Sequence, residues 1–137
     1  MEEEIHNMLP DLQCSILCDD VVQDKITGKL VLHGIFSNIE GKQLPMTHNR
    51  CFVVNGWCNG LGTFKQKTKV ITPEKQILIE DHETEFTLFD TRAKHTVIAQ
   101  FNNLAFKTQG TYWVEIYLDN RLILSYPFEI RLKERVF

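Results

Sequence analysis

Two-residue alternation near the C-terminus restricts this chain more than any other feature. It runs through QGTYWVEIYLDNRLILSYPFEIRLK, residues 109–133. Tyr112, Val114, Ile116 and Leu118 fall on one side of a first strand, and Leu122, Leu124, Tyr126, Phe128, Ile130 and Leu132 on one side of a second. Successive side chains of an extended chain point to opposite faces, so this spacing gives each strand one apolar face; a helix would need a repeat of about 3.6 residues. Residues directly opposite in an antiparallel pair share a face, so even positions must meet even positions. A two-residue Asp119-Asn120 loop pairs even with odd and would bury Arg121. The expectation is a loop of odd length, three residues with Asn120 in the left-handed region, or a bulge that corrects the register. Pro127 lacks a ladder donor, which places its strand at an edge or a bulge. Gly110 ahead of Tyr112 fits a tyrosine corner, in which the phenol anchors an upstream loop.

Shorter periodic runs precede this hairpin. LQCSILCD (12–19) places Leu12, Cys14, Ile16 and Cys18 on one face. GKLVLHGIF (28–36) is apolar on both faces apart from His33 and predicts a central strand covered on each side. RCFVVNGWC (50–58), TFKQKTKVI (63–71), KQILIED (75–81), EFTLFD (85–90) and HTVIAQFNNLAF (95–106) follow, separated by turn cues such as DKITGK, NIEGKQLP and KTQG. No segment sustains a helical period. About eight or nine strands with frequent turns predict an all-β fold, a two-sheet antiparallel β-sandwich of immunoglobulin-like or C2-like type. The whole chain, 1–137, reads as a single domain with a short N-terminal extension over 1–11.

Composition bounds the function. A net charge of −3 supplies no field to gather phosphates, so neither nucleic acid nor a membrane surface is an expected partner. MEEEIHNMLPDLQ carries acids where a secretory leader has a basic start, and no apolar run approaches the ~20 residues that cross a bilayer. Cys14 and Cys18, four apart on one strand, are too distant to be bridged at ~3.3 Å per residue. The cysteines show neither C-x-x-C nor zinc-finger spacing, so reduced buried thiols and a cytoplasmic location are the expectation.

LCDDVVQDKITGKLVLHGIF, residues 17–36, resembles the opening of a family of small bacterial proteins of unknown function. Those proteins carry a Cys-Asp-Asp-Val strand end and then Gly-Lys-Leu-x-Leu-x-Gly-Ile-Phe. The matching residues here are Cys18, Asp19, Asp20 and Val21, then Gly28, Lys29, Leu30, Leu32, Gly34, Ile35 and Phe36. A looser similarity returns in the last thirty residues. The resemblance implies a cytoplasmic β-sandwich and brings no catalytic or binding residues with it.

Chemistry-bearing constellations are few. The Gly-rich GWCNGLG (56–62) leads into another strand, where a phosphate cradle requires a helix. Lys65, Lys67 and Lys69 project from one strand face, as lysines do where a sheet resists pairing with other chains. No serine lies in G-x-S-x-G, and the histidines show no metal-binding spacing, so no enzyme activity and no cofactor are expected. The reverse face of the C-terminal hairpin offers Trp113, Tyr117 and Ile123 with Glu115 and Ser125 between them. An exposed apolar-aromatic patch with polar neighbours marks an interface. The expected function is thus a protein-interaction or assembly module, with a protein partner or self-association as a homodimer. The alternative is ligand binding at the loop end, with calcium held by Asp19, Asp20 and Asp24.

Overall fold

All nine strands expected from alternation form, and one more joins them. The computed structural model describes residues 7–133. One sheet runs in the order β2 (Leu30–Ile35), β1 (Asp11–Gln23), β4 (Met46–Cys58), β8 (His95–Phe106). The other runs β3 (Asn38–Gly41), β10 (Arg121–Leu132), β9 (Gly110–Leu118), β5 (Gly62–Ile71), β6 (Ile77–Glu80), with β7 (Thr84–Leu88) also paired to β5. Every pairing is antiparallel except β3 with β10. The molecule is therefore all-β with two sheets face to face, and among the described residues no helix is long and apolar enough to cross a membrane.

The core forms where the alternating faces meet. Leu17, Cys51, Val53, Trp57, Val97, Ala99 and Phe101 come from the four-stranded sheet, and Phe64, Val70, Phe86, Val114, Ile116 and Phe128 from the six-stranded one. Each large apolar side chain so buried contributes about 1.5–3 kcal/mol. Polar contacts also sit between the layers. The Trp57 indole Nε1 donates to Gln66 Oε1 at 2.7 Å, and Ser15 Oγ meets the Tyr126 hydroxyl at 2.9 Å, tying β1 to β10 across the gap. Tyr112 donates its hydroxyl to the Thr108 carbonyl at 2.7 Å, the contact a tyrosine corner makes.

The C-terminal hairpin resolves its register by the second of the two expected routes. Asp119 and Asn120, at φ 47° and 65°, make a two-residue turn in place of the three-residue one, so Arg121 pairs with Leu118 and Leu122 with Tyr117. A bulge at Ile123 then restores even-to-even pairing from Leu124–Ile116 onward. Leu122, expected in the core, is consequently turned outward and exposed; Leu124, opposite the core residue Ile116, and Leu132 are also exposed against expectation, while Phe128 and Ile130 are buried as expected. Pro127 sits where β10 is still an edge, because β3 pairs only from Glu129 on.

Other expectations change for local reasons. A second bulge between Leu12 and Cys14 separates residues expected on one face: Leu12 packs on the main core, while Cys18 joins Phe52 and Val54 on the outer side. Val21 and Leu32, from the far half of the β1–β2 hairpin, pack over that smaller cluster. β2 is an edge strand, not a central one; it pairs with β1 alone and leaves Leu30, Val31 and Ile35 exposed. β3 falls in NIEGKQLP, where the sequence predicts a turn, since its four residues are too short to show a period. The N-terminal extension stops at Pro10, which packs against Gly60, and Met8 bridges Leu61; residues 1–6 of that extension lie outside the described residues.

Candidate interaction surface

On the outer face of the six-stranded sheet, register sets side chains in rows. Ile77 opposes Ile71, Ile71 opposes Trp113, and Trp113 opposes Pro127. Opposed residues share a face, so these four make one apolar row across β6, β5, β9 and β10. Trp113 is 38% and Ile77 53% exposed. The next row is charged and polar: Glu80, Lys69, Glu115 and Ser125. The third holds Lys67, Tyr117 and Leu122.

The charged row is internally compensated. Glu80 Oε2 lies 3.4 Å from Lys67 Nζ and 4.0 Å from Lys69 Nζ. The Lys69 ammonium stands 4.4 Å above the Tyr117 ring, and the Tyr117 hydroxyl donates to Glu115 Oε1 at 2.9 Å. Burial first, and then that carboxylate, raise the Tyr117 pKa above its ordinary value, so the phenol remains a neutral donor. With these charges engaged with one another, the apolar row is what remains free for contact. Ile71 and Trp113, rimmed by Lys75, Glu115 and Ser125, form a depression of about 440 Å³. An apolar floor with a polar rim is the anatomy of a protein-binding patch.

Of the three residues expected to act together, the structure joins only two. Trp113 and Tyr117 share the outer face, whereas the bulge takes Ile123 out of the ladder and into a groove at the sandwich end, with Leu9, Pro10 and Leu118. Leu122 occupies the position opposite Tyr117 that Ile123 was expected to fill. Ile71, Ile77 and Pro127 were not singled out from the sequence. The signal for Ile71 and Pro127 was present in the alternation of their strands; that for Ile77 was not, because the unpaired Leu78 shifts the register between Ile77 and Ile79.

Asp19, Asp20 and Asp24 are not brought to a common point. Asp19 Oδ1 lies 2.9 Å from His48 Nε2, and Asp20 Oδ1 accepts from Val21 N and pairs with Arg50 at 3.3 Å. Asp24 caps its own turn by accepting from Ile26 N and Thr27 N, which lower its carboxyl pKa. Among the described residues no group of three or more His, Cys, Asp or Glu is arranged to hold a metal ion. All four cysteines are free thiols, and only Cys14 is exposed.

The Asp19–His48 pair lies in a second depression of about 740 Å³, lined also by Thr47, Asn49, Arg50, Asn102 and Asn103. It opens where β4 and β8 both change which face turns inward. Met46 and Cys51 are both core residues of β4 at opposite parity, as are Phe101 and Leu104 of β8. The facing Asn49 and Asn103 drop out of the ladder, with Asn103 at φ 53°. Asp19 is engaged with His48 here, and Arg50 with Asp20.

Residues 13–131 match the model of a family described as Family of unknown function (DUF6941). No curated protein matches the chain.

Proposed function

The chain belongs to this family of unknown function, and we propose that it is a non-catalytic, cytoplasmic protein-interaction module that captures a protein partner on the outer face of its six-stranded sheet. The supporting observation is the row Ile77–Ile71–Trp113–Pro127, an apolar stripe four strands wide beside a charge-compensated one. Such a stripe is held rigid by the ladders beneath it, so a partner ordered against it gives up little of its gain to reorganising this surface. Trp113 is the anchor: tryptophan is among the residues enriched at interface hot spots. The free thiols agree with a reducing compartment.

The test is capture by immobilised protein, identification of the bound partner, and titration of the purified pair. Trp113→Glu is expected to weaken binding about 30-fold or more, the weight of a hot spot of about 2 kcal/mol. It should leave the melting temperature almost unchanged, because the side chain stands outside the core. Thr96→Glu, on the exposed face of the other sheet, is expected to bind normally. Equal affinity of Trp113→Glu and the parent for the same partner removes this function.

A further inference from the structure

The bulged hairpin creates a second apolar surface. Leu122, Ile123 and Leu124 are consecutive, yet 51%, 44% and 38% exposed. Three exposed apolar residues in a row break the alternation that solvated strands keep, and they serve a contact where they occur. They adjoin a groove of about 430 Å³ lined by Leu9, Pro10, Leu118, Asp119, Arg121 and Ile123, and Leu9 is itself 62% exposed. One wall of the groove is the Leu9–Pro10 segment that leads into β1, the other is the β9–β10 turn of the six-stranded sheet.

We infer that this sandwich end is the interface of a two-fold homodimer. Charge placement selects a second copy as the occupant. Asp11, whose Oδ2 accepts from Asn59 Nδ2 at 3.1 Å, flanks the Leu9–Pro10 wall, and Arg121 stands on the opposite wall, both exposed. A two-fold axis through the groove exchanges the walls, so Arg121 meets the partner's Asp11 and the same contact forms a second time. An isologous interface demands this reciprocity, in which a patch is complementary to itself. Asp119, in the same wall as Arg121, accepts from Lys65 N at 3.0 Å through its Oδ1, which holds the turn against β5. Dimerisation at this end leaves the Trp113 row open on each copy and gives the proposed partner-binding module two equivalent sites.

Sedimentation of the full chain tests this without reference to any partner. The parent protein is expected at twice the 16.0 kDa chain mass, and Ile123→Glu at the single mass with unchanged far-UV circular dichroism. Arg121→Asp and Asp11→Arg each place like charges across the axis, and each alone is expected to raise the dimer dissociation constant at least ten-fold. Mixed in equal amounts they restore two complementary contacts and should recover the dimer, which also shows that both variants fold. A monomeric parent overturns the inference, as does a dimer indifferent to all three substitutions or a mixture that fails to reassociate. A parent that dimerises only after residues 1–6 are removed makes this chain's own N-terminus the occupant and overturns it too. Trp113→Glu should remain dimeric, so loss of partner binding and loss of the dimer are separately visible.

Discussion

Gly34 and Gly28 form a matched pair for testing how the β1–β2 hairpin is held. Both have left-handed backbones, at φ +67° and +72°. An L-residue there costs about 1–2 kcal/mol, partly offset by the 0.4–1 kcal/mol that Gly→Ala gains from a less mobile unfolded chain. The net penalty is about 1 kcal/mol at either site. The surroundings differ. A Cβ at Gly28 has Gln23 Nε2 as its nearest neighbour at 4.0 Å, which is ordinary contact. A Cβ at Gly34 meets Asp19 Oδ2 at 2.5 Å and Asp19 Cγ at 3.0 Å. Asp19 must swing away, which strains its rotamer by about 0.5–1.5 kcal/mol and stretches the 2.9 Å bond to His48. That pair is half open to solvent, so its loss adds only about 0.5 kcal/mol. Gly34→Ala is therefore expected to lose about 2–3 kcal/mol against about 1 for Gly28→Ala. At about 2.1 cal/mol/K per residue of unfolding entropy, that corresponds to drops in melting temperature of about 7–10 °C and 3–4 °C. Calorimetry on both variants reads the difference, and Asp19→Ala in the Gly34→Ala background should return most of the excess. Equal losses at the two glycines, or strict additivity with Asp19→Ala, refute the close approach.

Two further outcomes follow from groups buried between the sheets. Gln66→Leu leaves the Trp57 indole N–H without the acceptor it now has at 2.7 Å, so urea unfolding should show a loss of about 1–3 kcal/mol, whereas exposed Gln100→Leu should change little. Burial pushes the Cys51 thiol and the Tyr126 phenol each up to about 12, from 9.0 and 10.0. The unfolded chain then releases these protons first, so stability that is full below pH 9 falls as pH rises from about 9 towards 12. Urea midpoints across pH 8–11 should decline, less steeply between pH 9 and 10 for Cys51→Ala; a flat profile contradicts the assignment.

Strand positions were legible because alternation is a property of each strand by itself, and Tyr112, Val114, Ile116, Phe128 and Ile130 all went to the core side it assigned. What alternation does not carry is where a strand sits in its sheet. GKLVLHGIF is apolar enough for a central strand, yet β2 is an edge, because the cover for its residue Leu32 comes from the curl of its own hairpin over Phe52 and Val54. Nor does it carry a shift of parity within a strand. RCFVVNGWC leaves its inward face ambiguous, and only the pairing of β4 with β8 reveals that Asn49 and Asn103 face each other at a shared irregularity, which opens the cleft around His48. Asp19 and His48 stand 29 residues apart, and no spacing rule connects them.

The facing of the candidate residues was legible to within one residue, and that residue matters. Periodicity placed Trp113 and Tyr117 on an outer face correctly and put Ile123 beside them. The backbone instead resolves the parity conflict of a two-residue turn by inserting Ile123 as an unpaired residue. That insertion exchanges the roles of two neighbours: Leu122 goes to the outer face opposite Tyr117, and Ile123 goes to the groove with Leu9 and Leu118. A turn of odd length would have left Leu122 facing inward and Ile123 beside Tyr117, giving one apolar face and a closed end. The bulge divides the apolar residues of one hairpin between two surfaces, the one proposed for a partner and the one proposed for a second copy. Moving the bulge by one residue should therefore disturb both associations while sparing the core that Phe128 and Ile130 build farther along the same strand.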